Sequence, residues 1–328
     1  MKRRYWILLA LIVVLGVPYY WLLVDNRPGG APERPIPLTE LRRLAETVPG
    51  PKPTGVAVQT VGWRRVPGAL FVAGGGLKRN LLTIQAGLLS GPWGDIVIDS
   101  GFGAQDAEDF GLEAYRPDSQ ARVDAALRRA RLIVFTHEHL DHMGGLTRLP
   151  DFARVAPRAL VTPEQRGGNR WSDSLPWPKG ARERLKPFRY SGMAAVAPGV
   201  VLIRTPGHTP GSQMVYARLA DGREVLFAGD TATMERSWRQ VRARSRLVGD
   251  LMVGEDRNAV FGWLKAVNRL HRQAPGMVII AGHDEEALRF AKPPLGLGFE
   301  FPARAADLPT AVRPERSRGT RSSAAENG

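Results

Sequence analysis

Cysteine is absent from the 328 residues. Its absence excludes disulfide bonds, thiolate ligands for zinc and cysteine nucleophiles, although it leaves the redox compartment open. Acidic residues are also scarce, with 32 Asp and Glu against 46 Lys and Arg and a formal net charge of +14. Because arginine is scattered through every segment rather than gathered in one stripe, we expect no nucleic-acid partner.

Histidine is rare, with six residues, yet three of them lie in one short HxHxDH motif. The motif follows an apolar run over 131–135 that predicts a buried strand. Alternate residues of an extended segment share a face, so His137 and His139 can point at one ion. Asp141 and His142 lie past the strand, where they can point at a second ion. Imidazole with carboxylate suits zinc, and iron or manganese is also possible.

The amino terminus is strongly apolar. Three basic residues precede an uncharged stretch over 5–24, which as a helix is long enough to cross a bilayer. We predict a transmembrane anchor over 1–24. A cleaved signal peptide is the alternative, but no small-x-small cleavage site follows the apolar stretch. The preceding positive charge predicts an extracytoplasmic catalytic domain, periplasmic in a Gram-negative cell.

Composition divides the rest of the chain. Residues 25–54 contain seven prolines, which predicts a partly extended linker with a short helix around 38–47. Residues 55–302 predict a catalytic α/β domain in which strands, such as Gly55–Val61, alternate with helices. The basic segment over 235–246 favours a solvated helix face, and the alternative is a cationic rim that attracts anionic substrates or lipid headgroups. Residues 303–328 predict a disordered tail.

The HxHxDH motif resembles that of the metallo-β-lactamase fold superfamily. Four further segments match motifs of that superfamily in order: Ile98-Asp99-Ser100-Gly101, Thr205-Pro206-Gly207-His208-Thr209-Pro210-Gly211, Ala228-Gly229-Asp230-Thr231 and Ala281-Gly282-His283-Asp284. The resemblance covers about residues 70–285. It implies an αββα four-layer sandwich, in which two mixed β-sheets are flanked by helices.

The resemblance also implies a ligand set. One ion would be held by His137, His139 and His208; the second by Asp141, His142 and His283, with Asp230 bridging both. Asp99 would accept a hydrogen bond that fixes the orientation of a ligand. His271, the remaining histidine, is predicted to be structural.

Two Zn²⁺ ions held in this way would generate hydroxide near neutral pH and stabilise the oxyanion formed on attack. Asp141 would also orient the nucleophile and is the predicted catalytic residue. The expected reaction is hydrolysis of an ester, thioester, lactone or phosphodiester bond in a small-molecule substrate.

Departures from known branches of the superfamily leave the substrate open. Class B β-lactamases commonly carry cysteine where this chain has Asp230, and acyl-homoserine lactonases carry tyrosine where it has Thr233. The residues after His283 leave little room for the helical glutathione-binding domain of glyoxalase II enzymes. Specificity is expected to depend on the irregular segments over 167–192 and 231–257.

Two other functions remain open at this point. One is a mononuclear iron oxidoreductase of the same fold, similar to persulfide dioxygenases. The other is a non-catalytic metal-binding module. Flavodiiron proteins fit less well, because they carry glutamate at the position of His139 and an added flavin domain. The sequence does not fix the oligomeric state.

Overall fold

The computed structural model describes residues 2–26, 28 and 30–302. The chain begins with helix α1 (Lys2–Tyr19), which a π-helical turn extends over Tyr20–Val24. The span Arg3–Val24 contains 22 residues, has a mean hydropathy of 2.5 and is not buried by the rest of the protein. A helix of that length measures about 33 Å, enough to cross a bilayer. The predicted disordered tail over 303–328 lies outside the described residues.

The proline-rich segment packs on the protein, which differs from the partly extended linker that its composition predicts. Helix α2 (Leu38–Leu44) lies where a short helix is expected. Ile36, Leu41 and Ala45 are buried in the same apolar cluster as residues of the second sheet. Arg42 donates two hydrogen bonds, of 2.8 and 2.7 Å, to the Glu224 carboxylate. The apolar side of α2 therefore binds this segment to the sheet.

The first sheet contains six strands. Their ranges are β1 (Gly55–Pro67), β2 (Arg79–Ser90), β3 (Ile96–Ile98), β4 (Ala114–Tyr115), β5 (Leu132–Val134) and β6 (Ala159–Leu160). Their order is β4-β1-β2-β3-β5-β6. β3, β5 and β6 run parallel to one another, whereas β1 and β2 form an antiparallel pair.

The second sheet contains five strands. Their ranges are β7 (Met193–Ala197), β8 (Val200–Arg204), β9 (Gln213–Arg218), β10 (Glu224–Gly229) and β11 (Val278–Ala281). Their order is β11-β10-β9-β8-β7. β9 is antiparallel to both β8 and β10, and β10 is parallel to β11, so β8, β10 and β11 share one direction.

Helices cover the outer faces of both sheets. In addition to α1 and α2, the described residues form α3 (Gly68–Phe71), α4 (Ala104–Asp109), α5 (Pro117–Arg129), α6 (Leu140–Thr147), α7 (Phe152–Val155), α8 (Pro163–Arg166), α9 (Arg170–Ser174), α10 (Ala181–Arg184), α11 (Glu235–Arg239), α12 (Arg257–Gln273) and α13 (Glu285–Arg289). α12 buries Val260, Leu264 and Val267 against the second sheet. α5 buries Val123 and Leu127 against the first.

A third apolar cluster lies between the sheets. Ile98 and Val134 of the first sheet share it with Leu202, Val215 and Ile280 of the second. The layers therefore follow the order helix, sheet, sheet, helix. This is the αββα sandwich with two mixed sheets that the sequence predicts.

Candidate metal centre

The predicted ligands converge where strands of both sheets end. Parallel strands bring their carboxyl ends to one edge, which is where open α/β sheets bind ligands. Six of the eight predicted site residues follow strands directly or within a few residues. They are Asp99 after β3, His137 and His139 after β5, His208 after β8, Asp230 after β10 and His283 after β11. Asp141 and His142 lie in the first turn of α6.

Three imidazoles form the first cluster. His139 Nδ1 lies 3.0 Å from His137 Nε2 and 3.2 Å from His208 Nε2. His137 and His208 are buried, and His139 is half-buried. One ring nitrogen of each residue lies within 4.8 Å of the other two, so the three can hold a single ion.

The second cluster contains Asp141, His142 and His283. Asp141 Oδ2 lies 3.6 Å from His142 Nε2 and 3.7 Å from His283 Nε2. Asp230 lies between the two clusters, because its Oδ1 is 2.9 Å from His283 Nε2 and its Oδ2 is 3.6 Å from His208 Nε2. Each oxygen of this carboxylate thus faces a different cluster.

Three of these histidines are oriented through Nδ1. The acceptors are Asp99 Oδ2 for His142 at 2.8 Å, Glu255 Oε2 for His208 at 3.0 Å and the Thr83 carbonyl for His283 at 2.8 Å. These acceptors assign the proton of each ring to Nδ1. Each Nε2 is therefore left with its lone pair directed at the centre, as a ligand requires.

Asp99 lies beside His142, with its Oδ2 2.8 Å from the His142 Nδ1. Its φ of 61° is left-handed, a region that aspartate tolerates better than most residues. Its carboxylate accepts hydrogen bonds from the Thr136 amide at 2.7 Å and from the Thr136 hydroxyl at 2.8 Å. The loop after β5 and the first turn of α6 are thereby fixed to the end of β3.

The site is electrostatically divided. Burial lowers the pKa values of His137 and His139 well below their usual range. Burial also opposes the charge on His142, but the Asp141 and Asp99 carboxylates outweigh it and raise the pKa of His142 to about 10. The pKa of Asp230 is well below its usual value, because His283 and Arg244 outweigh the effect of burial. Without a metal, positive charge therefore collects in the second cluster.

The residues present fit a pair of divalent cations. His142 Nε2 is buried and has no hydrogen-bond partner among the described residues, which is costly for a polar atom unless an ion occupies the space beside it. The donor set contains imidazole and carboxylate only, the ligands that zinc accepts in catalytic sites. Both clusters can hold an ion, and Asp230 can contact both.

A buried guanidinium supports Asp230, although the sequence predicts a solvated face for its segment. Arg244 is only 4% exposed. It donates to Asp230 Oδ2 and to Glu255 Oε2, both at 2.8 Å. Since Glu255 also accepts from His208, these residues link two predicted ligands, His208 and Asp230. Sequence reasoning missed Arg244 and Glu255, and no local pattern separates Arg244 from the arginines around it.

Glu138, inside the HxHxDH motif, was also missed. It points away from the imidazoles and is fully buried. Its carboxylate accepts from the Thr209 hydroxyl at 2.7 Å, the Gly211 amide at 3.0 Å and the Asn169 side chain at 3.1 Å. This acid fixes the loop that carries His208 and the segment before α9. Its position between two predicted ligands is the signal that could have identified it.

One part of the segment over 167–192 contacts the metal centre, and another part packs in the hydrophobic core. The Trp171 ring on α9 lies 4.3 Å from the His139 ring, centroid to centroid, whereas Trp177 packs edge-on against Phe152. A cavity of about 330 Å³ lies beside Trp171 and His208. A larger cavity of about 890 Å³ is lined by none of the predicted ligands. His271 is outside the centre and packs against Trp238.

The metallo-β-lactamase superfamily model matches residues 80–283. The chain belongs to this superfamily. The match contains all the predicted ligands and Asp99, and it confirms the family and fold that the motifs predict. Together with the imidazole and carboxylate set, it makes the protein a metal-dependent hydrolase.

Three similar proteins illustrate the breadth of the superfamily. A probable metallo-hydrolase of Mycobacterium tuberculosis is 29% identical over 238 residues, which cover 61% of this chain and 74% of that protein. The acyl-coenzyme A thioesterase MBLAC2 of Homo sapiens is 30% identical over 168 residues, which cover 44% of this chain and 56% of that protein. A solved N-acyl homoserine lactone hydrolase, with its product bound at the catalytic metal centre, superposes with a TM-score of 0.57 at 18% identity and covers 73% of this chain and 97% of its own. That structural likeness shows the fold alone.

Proposed function

We propose that the protein is a membrane-anchored dinuclear zinc hydrolase that cleaves an ester, thioester, lactone or phosphodiester bond of a small molecule. The observation that carries this proposal is the position of Asp230, whose two carboxylate oxygens face different clusters. A centre for one ion alone would not need a carboxylate shared in this way. The thioesterase activity named for the human relative supports an acyl substrate.

The predicted ligands would bind two metal ions. His137, His139 and His208 would hold one ion, Asp141, His142 and His283 the other, and Asp230 would bridge them. Two such ions supply an activated water near neutral pH and a counter-charge for the oxyanion of the transition state.

Protein groups supply the remaining functions. The Asp141 carboxylate can accept a hydrogen bond from the attacking water and so orient it. Asp99 keeps the proton of His142 on Nδ1, through the 2.8 Å hydrogen bond between them. Trp171 forms an apolar wall beside His139, where it can position the acyl part of a substrate and exclude bulk water.

The location proposed is the outer side of a membrane. The α1 span supports an anchor through its length and exposure, and the basic residues before it favour an internal amino terminus. The catalytic domain would then be extracytoplasmic.

Hydrolysis assays on the full chain in detergent test the proposal. The probes are a p-nitrophenyl ester, an acyl-coenzyme A thioester, a lactone and bis-p-nitrophenyl phosphate. We expect one bond class to be cleaved, with activity lost on chelation and restored by zinc. Asp230→Ala should abolish both hydrolysis and metal retention, whereas Asp221→Ala, at an exposed turn, should match the unaltered chain. Full activity in Asp230→Ala would refute the proposal.

A further inference from the structure

The end of the anchor is held against the catalytic domain at defined points. The Gly74 amide donates to the Leu23 carbonyl at 2.7 Å. Arg246 donates to the Asp25 carboxylate at 2.7 Å, and its guanidinium lies 5.2 Å from the centre of the Trp21 ring. If α1 spans a bilayer, Trp21 and Asp25 lie at its surface. The loop after α3 and the segment that begins at Arg246 must then lie at the same level.

Those two elements carry exposed apolar side chains. Leu77 follows the Gly74 loop and is 66% exposed, and Leu251 and Met252 lie in the π-helical segment Leu247–Val253 and are 65% and 62% exposed. Outside the anchor, the described residues expose one other large apolar side chain to this degree, that of Phe290. Three of four such side chains are thus adjacent to the anchor.

Charge does not oppose burial of this surface in lipid. The carboxylate in the same segment, Asp250, is within 3.5 Å of Arg246 and 3.4 Å of Arg257, so its charge is balanced. Lys78 follows Leu77 directly and would meet lipid headgroups, whereas Arg79 pairs with the Glu113 carboxylate. Apolar tips with flanking cations are typical of surfaces that rest on membranes.

The same segment continues to the metal centre. Arg170 donates to the Met252 carbonyl at 3.3 Å and to the Val253 carbonyl. Its guanidinium lies 4.2 Å from the centre of the Trp171 ring, and that ring lies 4.3 Å from the His139 ring. Two side chains therefore separate the exposed segment from a predicted ligand.

We propose that Leu77, Leu251 and Met252 form a membrane-docking surface, which inserts into the lipid that surrounds the anchor and holds the Trp171 side of the metal centre against the bilayer. The proposal rests on the anchor in the proposed function. It does not depend on the reaction that the centre catalyses.

Spin labels measure the depth of this surface directly, and the cysteine-free chain makes each label unique. Single cysteines replace Leu77, Leu251 and Met252 in the full chain, which is labelled with a nitroxide and reconstituted in phosphatidylcholine vesicles containing phosphatidylglycerol. Collision with oxygen, which concentrates in lipid, is compared with collision with a water-soluble nickel chelate. Val14→Cys serves as the reference inside the anchor.

Two further labels supply the aqueous references. Phe290→Cys replaces the exposed apolar residue outside the docking surface. Asp221→Cys lies in the turn before β10. That strand contains six residues and is about 20 Å long, and Asp230 follows its other end.

If the docking surface inserts into lipid, oxygen should relax the labels at Leu77, Leu251 and Met252 more strongly than the nickel chelate does. The ratio of oxygen to nickel collision at these positions should lie between the ratio at Val14 and the ratios at Phe290 and Asp221. Lipid exposure at Val14 with aqueous values at all three positions would overturn the docking surface and leave the anchor intact. Aqueous values at Val14 as well would overturn both. Neither result would affect the proposed hydrolase chemistry, because no substrate is involved.

Discussion

A single buried acid, Glu255, supports both halves of the proposed centre. It accepts from His208 at 3.0 Å and from Arg244 at 2.8 Å, and Arg244 in turn contacts Asp230. Burial opposes ionisation of Glu255, but the positive charge of Arg244 outweighs it and holds its pKa below the usual value. The ionised carboxylate therefore fixes the tautomer of His208 and neutralises a guanidinium that could not otherwise be buried.

Replacing Glu255 by glutamine should weaken metal binding without removing a ligand. The amide keeps the shape but loses the charge that orients His208 and balances Arg244. We expect a loss of about tenfold or more in zinc affinity, measured by competition with a chromophoric chelator. Glu113→Gln is the matched control, since its exposed carboxylate pairs with Arg65 and Arg79. Equal affinities in the two variants would show that Glu255 does not act on the centre.

Glu138 is expected to matter for stability. Replacement by alanine would leave two buried donors, the Thr209 hydroxyl and the Gly211 amide, without this acceptor, together with a half-buried donor on Asn169. Because each unsatisfied buried donor costs about 1–3 kcal/mol, the free energy of unfolding should fall by about 2 kcal/mol or more. Glu138→Gln retains one acceptor oxygen and should lose less. Denaturant unfolding followed by tryptophan fluorescence compares them, and identical midpoints for the two variants would contradict this role.

At the level of elements, ligand motifs were predictable because each follows the strand that positions it. The apolar run before His137 predicts β5, and the motif positions after strands 3, 8, 10 and 11 specify which side chains meet. Boundaries were less predictable. The apolar pattern predicts that β1 ends at Val61, whereas it continues to Pro67 because the half-exposed residues after Val61 pair with β2.

The surroundings of the ligands were not predictable in the same way. Arg242 donates to the Ala73 carbonyl, Arg244 is buried beside Asp230, and Arg246 binds Asp25. These three arginines alternate in one short segment and look alike in the sequence. Their different environments are set by residues far from that segment in the sequence, so a local sequence pattern cannot predict them.

Helix α2 provides a pH-sensitive contact. The Glu224 carboxylate binds Arg42 of that helix, and hydrogen bonds from Arg42 and Tyr216 outweigh the effect of burial and lower the pKa of Glu224. Because the pKa of Glu224 is lower in the folded state, its ionisation stabilises the fold at pH values above its unfolded pKa of 4.5. That stability is lost as the pH falls through the folded pKa. Acid should therefore loosen α2 from the second sheet.

Hydrogen exchange measured by mass spectrometry on peptides covering α2 tests this expectation. Glu224→Gln should speed exchange in α2 at neutral pH, and the difference from the unaltered chain should shrink in acid as Glu224 becomes protonated. Glu40→Gln, which removes an exposed i,i+3 pair with Arg43 on the same helix, should change little. A difference for Glu224→Gln that stays constant with pH would contradict the argument.

For the molecule as a whole, the fold brings the predicted ligands together at one end of the two sheets. Two sheets meet at an edge where their strand ends supply imidazoles and carboxylates, and helices cover the remaining faces. The apolar amino-terminal helix ends beside the segment that contacts Arg170 and, through it, Trp171. The proposed hydrolase would thus work at a membrane surface with its centre formed jointly by both sheets.

The metal content of the full chain, purified gently in detergent and measured by elemental analysis, tests the central claim most directly. The shared carboxylate of Asp230 predicts close to two zinc ions per chain, and Asp230→Ala should retain fewer while Asp221→Ala retains the same number. Close to one iron per chain would contradict the dinuclear hydrolase and favour the mononuclear iron oxidoreductase, and a chain that binds no metal when zinc is supplied would contradict both.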